Sequence, residues 1–314
     1  MQLRQLLYLS RIIESGSLSR ASQLLHIAQP ALSQQVNQLE DELGVKLLER
    51  SVRGVAATAA GLAVYQQAKL ILKQVEATRT IAAQASHGPA GTVTIGLPWS
   101  LTTLIGVELL REVRTRLSLV RLEIVEGPSS LLLNLLGEGK LDIAVTFSDM
   151  ARSGLSMHAV AREPLFLVGP YASLKDKDSM TLENAAALPM ILMSSPNPVR
   201  DMLERHWLAA GLRCRVTAEI NSPPLLLEAV KAGFGYSIVP LAGLEGALRN
   251  KEIDAVALAG CDLQRTVYVG TSRLFAQSPA IEQVAVTLRD VMRHAIHAGR
   301  WHALLCEPAP HDTA

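Results

Sequence analysis

Through the first part of the chain, apolar residues recur at the spacing of helices that bury one face. Leu3, Leu6, Leu7, Leu9, Ile12 and Ile13 make one such stripe, and Gly16 interrupts it. Ser17 or Ser19 then offers a hydroxyl to an orphan backbone N–H at the start of a second helix. The inner face of that helix is expected to carry Ala21, Leu24 and Leu25. After the short connector His26-Ile27-Ala28, Pro30 suits a helix start, because its missing N–H would have had no partner there. The third helix is predicted from about Pro30 to Leu43, with Gly44 as its stop. Ala31, Leu32, Val36, Leu39 and Leu43 turn inward, and Gln29, Ser33, Gln34, Asn37 and Gln38 turn outward.

The segment Val45 to Thr58, with Lys46, Arg50 and Arg53-Gly54, reads as a wing behind this helix-turn-helix. From Thr58 to about Ala85 the chain favours helix and lacks proline, with Leu62, Tyr65, Leu72 and Val75 as an apolar stripe. Ala60, Ala63, Ala68 and Ala77 would allow another helix to approach closely. A long helix with an uncovered stripe needs a partner, so pairing with a second subunit is expected. Folding back on its own domain is the alternative.

Residues 86–91, SHGPAG, form a hinge, and beyond them strands and helices alternate. Strands are predicted at Thr92 to Leu97, Val120 to Val125 and Leu141 to Phe147, with helices at Leu101 to Arg116 and Ser130 to Gly137. This order argues for a parallel sheet covered by helices. A similar set follows, with strands at Leu165 to Gly169, Met190 to Met193, Val216 to Ile220 and Tyr236 to Pro240. Its helices are Val199 to Ala210 and Leu225 to Ala232. A strand at Thr266 to Gly270 and a helix at Ala280 to His297 close the chain.

Composition narrows the class. The chain has 314 residues, 49% of them hydrophobic, and a net charge of +1, enough for two or three well-cored domains. Residues 1–90 hold nine basic side chains against six acidic ones, so any affinity for a polyanion has to come from placement and from oligomerisation. Cys214, Cys261 and Cys306 are too widely spaced for a disulfide framework or a zinc pattern. No run is long enough to span a membrane and the start lacks a signal-peptide layout, so a cytoplasmic protein that does not engage membranes is expected.

The outward amides and hydroxyls of the third helix are suited to a DNA major groove. Gln bonds the N6 and N7 edge of adenine, and Ser bonds a base or a phosphate. The helix N-terminus adds partial positive charge. Arg53 is the candidate arm for phosphate or minor groove. A polar three-helix domain that binds protein is the competing reading.

Ser17, Ala21, Leu24, Gln29-Pro30-Ala31-Leu32-Ser33, Leu39-Glu40, Leu43-Gly44, Leu47, Arg50, Arg53-Gly54, Thr58 and Ala60-Gly61 resemble the amino-terminal signature of LysR-type transcriptional regulators. HIAQPALSQQV and the RGV wing most resemble the branch that includes the nitrogen assimilation control protein. Ser22, Leu48 and Ala57 depart from the pattern, as small packing changes. The resemblance implies an N-terminal all-α winged helix-turn-helix (residues 1–58), a linker and dimerisation helix (59–88) and a C-terminal α/β periplasmic-binding-protein-like domain (89–304) ahead of a tail (305–314). Subdomain I of that domain is expected at 92–163 and 268–304, and subdomain II at 164–267. The resemblance also implies a homodimer through the linker helix, a homotetramer on bent promoter DNA, contact with RNA polymerase and an effector in the cleft. For DNA contact it singles out Ser17, Gln29, Pro30, Ser33, Gln34, Arg50 and Arg53.

Ligands of open α/β sheets bind beyond the carboxyl ends of strands. Those ends carry Trp99, Ser100, Thr102 and Thr103 after the first strand, Ser129 and Ser130 after the second, and Thr146 and Phe147 at the third. Ser194, Ser195 and Asn197, then Asn221 and Ser222, occupy the matching places in the second half. Hydroxyls, helix starts and few fixed charges suit a small anion, a carboxylate first, although each of these residues also serves as an ordinary helix cap. Trp99 either stacks on an aromatic ligand or fills the pocket, and the second option fits a regulator that is controlled by its own abundance and needs no effector.

His294, His297, His302 and Cys306 form only a faint metal pattern with no acidic partner. Gly233-Phe234-Gly235 lacks the third glycine of a dinucleotide fingerprint. No catalytic triad or carboxylate pair stands out, so neither an enzyme nor a cofactor is expected. A free-standing solute-binding protein and a protein-interaction module remain the other classes; the second predicts no salt-dependent DNA affinity.

Overall fold

The structure, a computed structural model, describes residues 1–51, 54–148, 154–272 and 278–306. It divides into two compact units, the first formed by Met1–Gly88 and the second beginning at Pro89.

In the first unit α1 (Leu3–Ser15), α2 (Leu18–Leu25) and α3 (Gln29–Leu43) precede the hairpin of β1 (Leu48–Ser51) and β2 (Gly54–Ala57), and α4 (Ala59–His87) follows. Gly16 and Gly44 end α1 and α3 in the left-handed conformation, and Ser17 caps α2 by accepting from the Arg20 N–H. Leu6, Leu9, Ile12, Leu32, Val36, Leu39 and Leu47 are the centre of the core. Each such side chain contributes roughly 1.5–3 kcal/mol by leaving water.

Three inward expectations are corrected here. Helix α2 buries Leu18, Ala21 and Ser22 and packs Leu25, which rotates Leu24 to the far side, where it is 66% exposed. Ala31 also faces solvent, and Leu43, in the last turn of α3, runs past the core. The start of α4 folds onto its own domain. Ala60, Val64 and Ala68, one helical turn apart, join the core, whereas Leu62 is exposed. Gly61 makes the close approach feasible, since a Cβ there would stand 1.8 Å from the Leu47 carbonyl oxygen. The Thr58 hydroxyl closes this joint by donating to the Lys46 carbonyl at 2.7 Å and accepting from the Gly61 N–H at 2.9 Å.

The second unit runs β3 (Gly91–Leu97), α5 (Trp99–Arg116), β4 (Val120–Glu126), α6 (Ser129–Gly137), β5 (Ile143–Thr146) and β6 (Leu155–Pro164). Next come β7 (Phe166–Pro170), β8 (Ser179–Thr181), α7 (Leu182–Ala186), β9 (Met190–Met193), α8 (Pro198–Ala209), β10 (Val216–Ile220) and α9 (Pro223–Lys231). Then β11 (Ser237–Val239), α10 (Glu245–Arg249), β12 (Ile253–Ala259), β13 (Gln264–Ser272), α11 (Pro279–His297) and β14 (Leu304–Leu305) complete it.

One subdomain is built on a six-stranded sheet, β14-β6-β13-β5-β3-β4, and the other on a four-stranded sheet, β11-β7-β12-β8, with the pair β10-β9. The six-stranded sheet is mixed rather than parallel throughout: β3 runs parallel to β4 and β5, while β13 is antiparallel to β5 and β6. Strands β6 and β12 were not anticipated. Strand β13 pairs with β6 from Gln264↔Pro164 onward, so the return into the first subdomain begins at Gln264 and not at residue 268. Leu305 pairs with Ala161, so ordered chain continues into the expected tail.

Candidate DNA-reading face and regulatory cleft

Helix α3 buries Leu32, Val36, Leu39 and Glu40. On its other side Gln29, Pro30, Gln34, Asn37 and Gln38 are exposed, with Ser33 half-buried. Ala28 precedes the helix without a side-chain cap, leaving its positive end to the surroundings. This face therefore offers amide donors and acceptors on a rigid rod held by the core beneath. Ser17 instead anchors α2 through its cap. The Arg50 backbone pairs with Val55 in the hairpin; the Arg50 side chain and all of Arg53 lie outside the described residues.

Glu40 stands in the LysR-like signature, and the structure shows what it does there: it braces the hairpin. Its carboxylate, 5% exposed, accepts from the Leu47 and Leu48 N–H groups at 2.8 and 3.1 Å and from Lys46 Nζ at 2.6 Å. Burial pushes this carboxyl up, but the ammonium and the two amides outweigh it and hold the group below its ordinary value. Helix α3 thus carries its own anchor for the hairpin that follows it. An acid on the apolar stripe beside Leu39 was the available signal. An open groove of about 530 Å³ lies between Glu14, Ser15, Arg20, Gln23, Leu24 and His26. Its carboxylate, Glu14, is engaged by Tyr65, Lys69 and Arg11, which makes it a joint between α1 and α4.

In the second unit, several expected cleft residues meet around two that were not foreseen, Glu163 and Arg265. They face each other across β6 and β13, and Arg265 Nε donates to Glu163 Oε2 at 2.5 Å. Trp301 Nε1 donates to Glu163 Oε1 at 2.6 Å. Arg265 Nη2 reaches Ser100 Oγ at 3.1 Å, and its guanidinium carbon sits 3.5 Å from the centre of the Phe147 ring. The Phe147 N–H donates in turn to Ser129 Oγ at 3.0 Å. Ser100, Phe147 and Ser129 are thus brought together, but as partners of one another and of a fixed ion pair. The two charges are among the most buried polar groups, at 1% and 7% exposure, and the bonds between them offset that burial. The available signals were Arg265 as a lone charge in the apolar run LQRTVYV, and Glu163 beside Arg162 just ahead of the apolar run LFLV.

Other expected cleft hydroxyls are also engaged. Thr102 donates to the Pro98 carbonyl and Thr146 to the Ser148 carbonyl. Thr103 and Ser130 are exposed. In the other subdomain Asn197 caps α8 by accepting from the Val199 and Arg200 N–H groups, and Ser222 caps α9. Ser195 and Asn221 are exposed and Ser194 is half-buried. Glu245 accepts from the Gly243 N–H at 3.1 Å, and burial raises its carboxyl above the ordinary range. Among the described residues no group of three or more His, Cys, Asp or Glu is placed to hold a metal. His302 meets the Phe166 ring edge-on, whereas His294 faces Glu108. No described helix is long and apolar enough to cross a membrane.

Two family models match the chain, the helix-turn-helix of bacterial LysR-family regulators over residues 3–62 and the LysR substrate-binding domain over residues 86–293. The nitrogen assimilation regulatory protein nac of Escherichia coli (strain K12) is 34% identical over 241 residues, covering 76% of this chain and 78% of that one. A full-length OxyR variant from Pseudomonas aeruginosa has the same fold, with a TM-score of 0.73 at 23% identity over 93% of this chain and 95% of that one. Full-length CbnR complexed with its target DNA aligns with a TM-score of 0.67 at 22% identity, over 93% of this chain and all of that one (100%).

Proposed function

The chain belongs to the LysR family of DNA-binding transcriptional regulators and is not an enzyme, and from that premise we propose how its two sites divide the work. Gln29, Pro30, Ser33 and Gln34 bring α3 into the major groove, and Arg50 and Arg53 hold the wing against the DNA backbone. Two copies joined through α4 present two such helices to a roughly palindromic operator, since two-fold symmetry of the protein demands it of the site. Tetramers, bent DNA and contact with RNA polymerase extend the same reading.

The observation that carries it is the division of α3 into a buried face of Leu32, Val36 and Leu39 and an exposed amide face. Fluorescence anisotropy tests it, with DNA from upstream of the gene against a random duplex of equal length across a salt series. Nanomolar binding that prefers the upstream fragment is expected. Equal, weak binding to both would reject the role given to α3.

We read the cleft of the second unit as the regulatory site. A small carboxylate there would draw on Arg265 and the first turn of α5, against the opposing charges of Glu163 and Glu245. A second reading, regulation without a diffusible effector, is favoured by where Trp99 lies.

A further inference from the structure

Trp99 opens α5 in the first subdomain, yet it packs against a core built from the second. Among the described residues, every other member of that cluster lies within residues 166–255. The cluster includes Leu241, Leu244 and Ala247, which flank Gly243. Gly243 has φ +85°, and a Cβ there would come within 3.2 Å of both Trp99 Cζ3 and Ser100 Cα. A side chain there would be tighter than ordinary van der Waals contact with α5, and the positive φ disfavours one in any case. Glu245 braces it by accepting the Gly243 N–H. Within the first subdomain, Arg265 of β13 holds the same first turn of α5 by donating to Ser100.

We propose that Trp99 is a tethered ligand: the apolar seat beside Gly243 is a site for a flat aromatic ring, and this chain's own indole occupies it, latching the two subdomains together. The inference rests on the regulatory reading of the cleft given above. A diffusible molecule that acts at this seat has to present an aromatic ring and displace Trp99. A small aliphatic acid has nothing to place there.

Chemical complementation tests it in the full-length protein. Trp99→Ala empties the seat, and free indole should refill it. The unfolding midpoint of the variant is expected to fall by roughly 5 °C or more. Millimolar indole should restore most of that loss while leaving the wild type, whose seat is filled, unmoved. Operator affinity of the variant should differ from wild type by roughly fivefold or more and return with indole. An unchanged midpoint, or a loss that indole does not repair, would overturn the proposal.

Should Trp99→Ala fail to fold, Trp99→Phe and Gly243→Ala take its place. The first should lower the midpoint by less, and the second should expose the indole to acrylamide quenching. No change in either would also overturn it. The unfolding and indole readings involve no DNA. A wild type that ignores its upstream fragment would therefore reject the operator reading and leave the latch standing. Indole-blind Trp99→Ala beside a DNA-binding wild type would do the reverse.

Discussion

Helix α3 and the cleft proposed as regulatory draw on the same side chains, amides and small hydroxyls near helix starts, and use them in opposite ways. On α3, Gln29, Gln34 and Gln38 stand exposed over a buried apolar face. In the cleft, Ser100, Thr102, Ser129 and Thr146 all bond within the chain. Each region is organised by one buried acid. Glu40 holds two backbone amides and an exposed lysine, whereas Glu163 holds a buried arginine and an indole N–H. Residue type alone does not separate a surface that reads a partner from one that holds the fold. What the side chain's neighbours already satisfy does.

Breaking the second acid should cost most. Glu163→Ala leaves Arg265 charged, buried and unpaired, a loss of about 3–5 kcal/mol in urea unfolding. Replacing both partners, Glu163→Leu with Arg265→Met, should cost less than that single change. A double variant that loses as much as Glu163→Leu and Arg265→Met lose separately, added together, would show that they are not a coupled pair.

Glu40→Ala should cost about 1–3 kcal/mol, because it leaves the Leu47 and Leu48 amides buried without an acceptor, and it should loosen the wing enough to weaken DNA binding. Because folding lowers the Glu40 carboxyl from its ordinary value of 4.5, the stability it contributes is complete above that pH and lost as pH falls through the lowered value. Glu40→Gln should flatten that acid-side decline in unfolding midpoint; an unchanged slope would remove Glu40 as its source.

On the reading face, Gln29→Ala is expected to relax base preference by roughly 1–3 kcal/mol. Arg53→Ala should weaken specific and random DNA alike and flatten the salt slope. Equal losses of both kinds in both variants would cancel the division of roles. The smallest effect separates caps from ligand contacts: Asn197→Ala should lose about 1 kcal/mol of stability and leave DNA binding unaltered. A change in DNA response without a stability loss would make Asn197 a regulatory contact instead.

Much of the first unit was readable because its elements are short-range. The helical stripes, Gly16, Ser17 and Gly44 act within a turn of themselves, and α1, α2 and α3 fall close to where the spacing placed them. Leu24 shows the limit. It matches a helical spacing in a loose count, but Leu18, Ala21, Ser22 and Leu25 define the inner face, and the opposite side has no cover. Strand β6 was missed because its inward register carries Glu163, whose charge breaks the apolar alternation that marks a strand. That charge is tolerable only because Arg265, far along the chain, lies opposite.

By itself, then, the order of residues determined the family, the run of helices and strands on either side of the hinge, and the amide face of α3. Periodicity, capping and groove-reading chemistry are local, and each residue declares them within a few neighbours. The pairing of β6 with β13, the burial of Glu163 against Arg265 and the insertion of Trp99 beside Gly243 were decided by tertiary structure. These depend on side chains distant in sequence satisfying one another's charge, shape and hydrogen bonds, and no stretch of the chain carries both halves of that match.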